Sequence, residues 1–246
     1  MFYTADLHVH TVLSACAEIE MMPEFILERA QELGLTLIAV TDHNSAENAA
    51  AMLQAAEGTG ITVLPGMEVQ TREEVHMLCL FDTLEQLEAW QTLVDEHLPD
   101  LENDIEHFGE QFVVDAEGDF VRRELQLLLT STDLTLEEAI GAVNAIDGLA
   151  IPAHIDRKAN GLLTLLGFVP TQVTVNALEL SRHISIDVAP LRYPQIRGYP
   201  LVQDGDAHRL NEFLGVNEFV VESPTITELK MALRHENGRT HRLGLA

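Results

Sequence analysis

The sequence predicts an α/β barrel or sheet that carries a metal site along one rim of its strands. Seven short apolar runs recur along the chain, most of them followed by an amphipathic stretch of helical period. Histidines and carboxylates collect at the ends of those runs, beginning with His8 and His10 in "ADLHVHTVLSACAE". The runs are too short to span a bilayer, which takes about 20 apolar residues in a row.

The strands predicted in order are "FYTADLH", "LTLIAVT", "ITVLPGMEV", "VHMLCLF", "GLAIPAH", "NALEL" and "PLVQDGD". Between the first two, "MPEFILERAQELG" reads as a helix, with Pro23 near its start and Gly34 as its stop. After the second, "SAENAAAMLQAAEGTG" reads as another, with Ser45 as N-cap and Gly58 near the end. The rhythm breaks between residues 82 and 147. That segment holds a helix over "TLEQLEAWQTLVDEHL", a hairpin turning at Glu117-Gly118, and a helix over "TLEEAIGAVNAI" capped by Thr135. Strand patterning resumes at Gly148, so residues 1–246 are expected to form a single domain with an insertion at about 82–147. The tail "RHENGRTHRLGLA" reads as a helix end and a loose terminus.

Composition bounds the function. The chain has 246 residues, 46% hydrophobic and 22% charged, the balance of an ordinary globular protein. Its start carries Asp6 and no basic run, so neither a secretory signal nor a membrane partner is expected. Two cysteines, Cys16 and Cys79, make no disulfide framework, and a cytoplasmic location is the expectation. Acidic residues number 40 against 14 basic, a formal net charge of −26, with Lys158 and Lys230 the only lysines. Such a surface repels polyphosphate backbones, so the expected partner is a small phosphorylated substrate and not a long nucleic acid. The oligomeric state is left open.

Chemistry collects at the strand ends. His8 and His10 close the first strand, and their i, i+2 spacing turns both to one face. Asp42 and His43 close the second, Glu68 closes the third and His76 lies in the fourth. His154 closes the fifth, and Asp206 and His208 close the seventh. A lone histidine at a strand end is ordinarily structural or solvated. Here six of eleven histidines fall there with three carboxylates, and the strand C-termini of an α/β barrel converge on one face. The donors outnumber the needs of one ion, since a catalytic zinc takes three protein ligands. Two or three divalent ions are expected, and mixed imidazole–carboxylate ligation suits zinc, manganese or iron.

Taken in order, "DLHVHT", "TDHN", "PGMEV" with His76, "PAHIDR" and "DGDAH" resemble the successive metal-binding motifs of the PHP (polymerase and histidinol phosphatase) family. The resemblance runs from Asp6 to about His208. It implies a distorted seven-stranded (β/α)7 TIM-like barrel, metals at the strand C-terminal face, and phosphoester hydrolysis. It also implies a ligand set. His8, His10, Glu68 and Asp206 would hold a first ion, and Glu68, His76 and His154 a second. His43 and His208 would hold a third, completed near position 16, where this chain has Cys16 and several family phosphatases have histidine. Cys16 is either a thiolate ligand that biases the site toward soft ions or a small buried hydrophobe. Asp6 and Asp42 are read as ligands or as partners orienting an imidazole, and Cys79 as core.

The expected reaction is attack by a metal-activated hydroxide on a phosphate monoester or nucleotide. His43, His208 and Asp42 are the candidate catalytic groups. Arg157, Arg182 and Arg209 are the candidate phosphate ligands, because a guanidinium fork binds two oxygens at once. His183 is a weaker candidate, and Glu179 is equally well structural. The alternatives are a C–N hydrolase of amidohydrolase type, an exonuclease on short oligonucleotides, and a non-catalytic metal-stabilised module. The first is disfavoured because its common bridging ligand is a carboxylated lysine, and no predicted strand ends in lysine.

Overall fold

In the computed structural model, which describes residues 1–244, eleven strands and eight helices follow one another along the chain. Strand β1 (Phe2–Val9) leads through α1 (Pro23–Glu32) to β2 (Leu37–Val40), and α2 (Ala49–Ala55) leads to β3 (Thr62–Gln70) and β4 (His76–Leu80). Next come α3 (Leu84–His97), the single turn α4 (Ile105–Phe108), the hairpin β5 (Phe112–Val114) and β6 (Phe120–Arg123), and α5 (Leu136–Ala145). The remainder is β7 (Leu149–Pro152), α6 (Leu162–Leu165), β8 (Leu178–Leu180), α7 (Ala189–Arg192), β9 (Leu201–Gln203), β10 (Asn217–Val220), α8 (Ile226–Leu233) and β11 (Thr240–Leu243).

All seven expected strands form. Pro23 occupies the first turn of α1, and Gly34 follows its end at φ 69°, a left-handed conformation that glycine adopts without strain. Thr83 and Thr135 each close a capping box, with Gln86 and Glu138 as the reciprocal partners. Ser45 is not the cap of α2. That helix begins at Ala49, and the side chain at its N-cap, Asn48, is drawn away to Thr11 Oγ1 at 2.9 Å and to the Phe112 carbonyl at 3.0 Å.

The barrel expectation is corrected. A curled, mixed seven-stranded sheet in the order β11-β10-β1-β2-β3-β4-β7 makes a half-barrel, and β8 and β9 pair separately. Closure fails because the edge of β1 is already taken. Residues 2–5 of β1 pair antiparallel with β10, so β9 does not pair with β1, and the segment after it meets β1 only at the isolated Val9–Ala207 bridge. A side chain substitutes for the missing ladder, with the Leu7 N–H donating to Asp204 Oδ1 at 2.5 Å. The tail is likewise not loose up to Gly244, since β11 pairs with β10 over residues 240–243; the last two residues lie outside the described ones.

Strand β4 runs antiparallel to both β3 and β7. Its first residue, His76, therefore stands opposite Gln70, at the rim where β1, β2 and β3 end. Alternate side chains of the sheet enter two cores. Ile38, Val63, Met77 and Cys79 pack with apolar residues of α1, α3 and α5, whereas Leu37, Leu64, Leu78 and Leu80 pack with Ile226 and Leu229 of α8. Both faces are filled below the rim, and the polar groups above it are held rigidly.

Candidate metal centre

The rim residues meet around Glu68, which is fully buried at the end of β3. His8 Nε2 lies 3.3 Å from Glu68 Oε1 and 3.3 Å from Asp206 Oδ1, and His10 Nε2 lies 3.4 Å from the same Asp206 oxygen. Donors that share one ion at about 2.1 Å sit about 3.0–3.5 Å apart, so these spacings are those of a common ligand set. The proton inventory agrees. His8 Nδ1 donates to Glu179 Oε1 at 2.9 Å. His10 Nδ1 donates to Ser14 Oγ at 3.0 Å, because the Ser14 hydroxyl proton goes to Asp42 Oδ1 at 2.6 Å. Each imidazole thus presents Nε2 to the cluster, and the two Nε2 atoms face each other at 3.1 Å. A cation between them would resolve that contact.

Further donors surround the same carboxylate. His76 Nδ1 and His154 Nε2 approach Glu68 Oε1 at 2.9 and 3.0 Å, and His43 Nδ1 approaches Oε2 at 2.9 Å. Glu68 Oε2 and His154 Nδ1 have no hydrogen-bond partner among the described residues. Three overlapping groups each bring their donor atoms within 4.8 Å of one another: His8, His10, Glu68 and Asp206; His43, Glu68 and His76; and His10, His43 and His208. The residues are therefore positioned for a polynuclear metal site. His10 joins the third group, which sequence reasoning had not foreseen. Cys16 lies near enough to His43 and His208 to feel their charges, but it joins none of the three groups and its residue is solvent-exposed at the mouth.

Local structure fixes these positions. His154 has φ 28° and Asp206 φ 49°, left-handed values that are uncommon for non-glycine residues. Gly205 precedes Asp206 because a Cβ there would lie 2.4 Å from the Glu212 carbonyl and 2.9 Å from Asp6 Oδ2. Asp6 does not reach an imidazole ring. Its oxygens accept backbone N–H groups of His8, Gly205 and Leu214, tying β1 to the loop that carries Asp206. Asp42 is also turned inward, accepting from Thr11 N and Oγ1 at 2.7 Å each and from Ser14. Ser14 and Asp204 were missed in the sequence. Ser14 lies in a loop with no periodicity to mark it, and the only signal for Asp204 was its place as the first acid of "DGDAH".

Electrostatics follow from crowding. Burial pushes the Glu68 carboxyl up, but His76, His8 and His43 outweigh it and hold it well below the ordinary range. Burial lowers His8, yet Glu179, Glu68 and Asp206 raise it well above its usual value. His76 is brought down to about 4 by burial. Burial raises the Cys16 thiol, and the charges of His43 and His208 more than compensate, bringing it to about 6. Cys79, buried beneath the sheet, is pushed well up and is core as expected.

A cavity of about 370 Å³ opens over the cluster, lined by His43, His154, Asp206 and His208 and by all three candidate arginines. Each arginine already has a carboxylate partner. Arg157 pairs with Asp206, Arg182 with Glu212 at 2.7 Å and Arg209 with Glu18 at 3.1 Å. His183 also lines the cavity, on its outer wall.

The PHP domain family model matches residues 6–146, more than half of the chain. The chain belongs to the PHP family. Members of this family are metal-dependent hydrolases, including phosphoesterases and endonucleases. No curated protein matches the sequence. Among solved structures, the lesion-specific endonuclease Q from Pyrococcus furiosus superposes with a TM-score of 0.78 at 24% identity, over 100% of this chain and 60% of that one. Endonuclease Q in complex with a 27-mer duplex bearing an abasic lesion gives 0.74 at 23% identity, over 98% and 58%. A Bifidobacterium adolescentis protein assigned as a metal-dependent phosphoesterase gives 0.55 at 19% identity, over 83% and 87%. The chain thus spans about 60% of the length of the endonuclease Q chains.

These likenesses overturn one expectation. A small substrate with long nucleic acid excluded does not fit a chain whose whole length superposes on a nuclease solved on duplex DNA. The error was to read a local property from a global sum, because net charge does not say where the arginines stand. No helix among the described residues is long and apolar enough to cross a bilayer.

Proposed function

We propose that this PHP domain is a metal-dependent phosphodiesterase that cuts a DNA strand. The reading is carried by the overlap of three ligand sets on Glu68, His43 and His10 beneath an arginine-lined cavity. The likeness to endonuclease Q along the whole chain supports DNA as the substrate class.

His8, His10, Glu68 and Asp206 would hold a first ion, Glu68 and His76 with His43 or His154 a second, and His43 and His208 with His10 or Cys16 a third. Imidazole and carboxylate donors suit zinc, manganese or iron, and a thiol with a pKa of about 6 favours zinc or iron at the third position. Bound divalent ions lower a water's pKa toward neutrality and offset charge on phosphoryl oxygens.

The chain's own groups do the rest. Each guanidinium has five N–H donors, so Arg157, Arg182 and Arg209 keep donors for phosphate oxygens beside their carboxylate partners. His208, whose side chain is 20% exposed at the cavity, would supply the leaving oxygen's proton if no third ion is bound, and His43, more deeply buried in the same cavity, is the alternative donor. Asp42 works at one remove, because Ser14, which it holds, accepts from both His10 Nδ1 and the His43 backbone N–H.

The test is strand scission of an end-labelled duplex with a single abasic site, beside an undamaged duplex and p-nitrophenyl phosphate. The reading expects metal-dependent cutting of DNA that chelation abolishes and added zinc or manganese restores. Turnover of p-nitrophenyl phosphate with every DNA left intact by fully loaded protein would overturn it.

A further inference from the structure

Glu179 sits in the middle of β8, 1% exposed, and serves two of the rim histidines at once. Its Oε1 accepts the Nδ1–H of His8 at 2.9 Å, and its Oε2 accepts the backbone N–H of His154 at 2.6 Å. Its own carbonyl takes the N–H of Ile155 at 2.9 Å. His8 belongs to β1 and His154 follows β7, an edge strand of the half-barrel, so these bonds span the side on which the sheet is open.

Both histidines need outside help to keep their aim. His154 holds φ 28°, which a bulky L-residue rarely adopts, and its ring Nδ1 has no hydrogen-bond partner among the described residues. The ring is bonded only through Nε2, to Glu68 Oε1 at 3.0 Å, so the backbone anchor from Glu179 fixes the point from which it reaches the cluster. For His8, the Glu179 bond places the ring proton on Nδ1 and leaves Nε2 for the cluster. The two rings stack at 5.8 Å with 20° between their planes, and both Nε2 atoms converge on the same oxygen, Glu68 Oε1.

We propose that Glu179 is the positioning residue of the metal centre, one carboxylate that sets the donor nitrogen of His8 and the placement of His154 together. The inference rests on the metal reading of the cluster given above. A structural tether between β8 and β7 would need only the Ile155 bond, which the backbone already makes.

The decisive variant is Glu179→Gln. It keeps the size of the side chain but offers one acceptor where two are needed, so either His8 Nδ1–H or His154 N–H loses its partner. Two readouts are taken on the full chain: zinc affinity by competition with a chromophoric chelator, and the His8 tautomer by ¹⁵N NMR of the ring with and without zinc. The expected result is zinc binding weakened by about 10- to 100-fold, and a His8 ring no longer held as the Nδ1–H form, with circular dichroism unchanged. Glu179→Ala, which removes both acceptors, is expected to weaken zinc at least as much. A Glu179→Gln protein with unaltered tautomer and zinc affinity within twofold of the parent would overturn the proposal. A parent chain that takes up no zinc would instead overturn the metal reading, while the tautomer still reports on Glu179.

Discussion

Five imidazoles, those of His8, His10, His43, His76 and His154, lie within 3.5 Å of the two oxygens of Glu68. No other residue joins so many donors, so Glu68→Gln should reduce bound metal to at most one ion per chain and hydrolysis by about a hundredfold or more. Elemental analysis and initial rates check this together. Cys16 gives a second prediction. With its pKa brought to about 6 and its residue exposed, it is mostly thiolate at pH 7, whereas Cys79 is buried and its thiol is pushed well up. Iodoacetamide on the folded, metal-free protein should therefore label Cys16 and spare Cys79, which peptide mass spectrometry reads directly. The rim histidines and acids were legible because each stands at the end of an apolar run. Ser14, Asp204 and the double duty of Glu179 were not, because partners of partners are set by tertiary approach and leave no periodic trace.

Among the elements, β10 and β11 went unread because their signal is weak. "THRL" has one apolar residue in four, and its single fully inward side chain is His241. Pairing with β10, not propensity, makes it a strand. His241 is buried beside Asn217 Oδ1 at 3.2 Å and brought down to about 4 by burial. Between about pH 4 and the ordinary value of 6.5 the unfolded chain binds a proton there and the folded chain does not. Its contribution is complete above pH 6.5 and is lost as pH falls through that window, amounting to about 3 kcal/mol. His241→Asn should flatten this part of the profile, seen as a smaller gap between urea midpoints at pH 7 and pH 4.5 than in the parent. Helix α3, by contrast, was legible as an amphipathic run, although its capping box and the burial of Trp90, which is 1% exposed under the sheet, came only with the structure. Trp90→Ala should cost about 3–5 kcal/mol of stability by denaturant unfolding.

The whole molecule is a half-barrel with Arg157, Arg182 and Arg209 gathered at the cavity over the candidate metal centre, each beside a carboxylate. The sequence pattern gave the strands but not the closure, which depends on β10 occupying the edge of β1 before β9 can reach it. It gave the total charge but not its map, and so misjudged the partner. If a DNA strand lies across Arg157, Arg182 and Arg209, affinity should fall steeply with salt. Each arginine replaced by alanine should then reduce the slope of log affinity against log salt by about 0.7–0.9. Binding measured by fluorescence anisotropy over a salt series checks this apart from catalysis.

The account stands most directly on metal content. Protein purified without chelator, reconstituted with zinc or manganese and freed of excess ion, should carry two or three ions per chain by elemental analysis. Fewer than one ion per chain after reconstitution would contradict it.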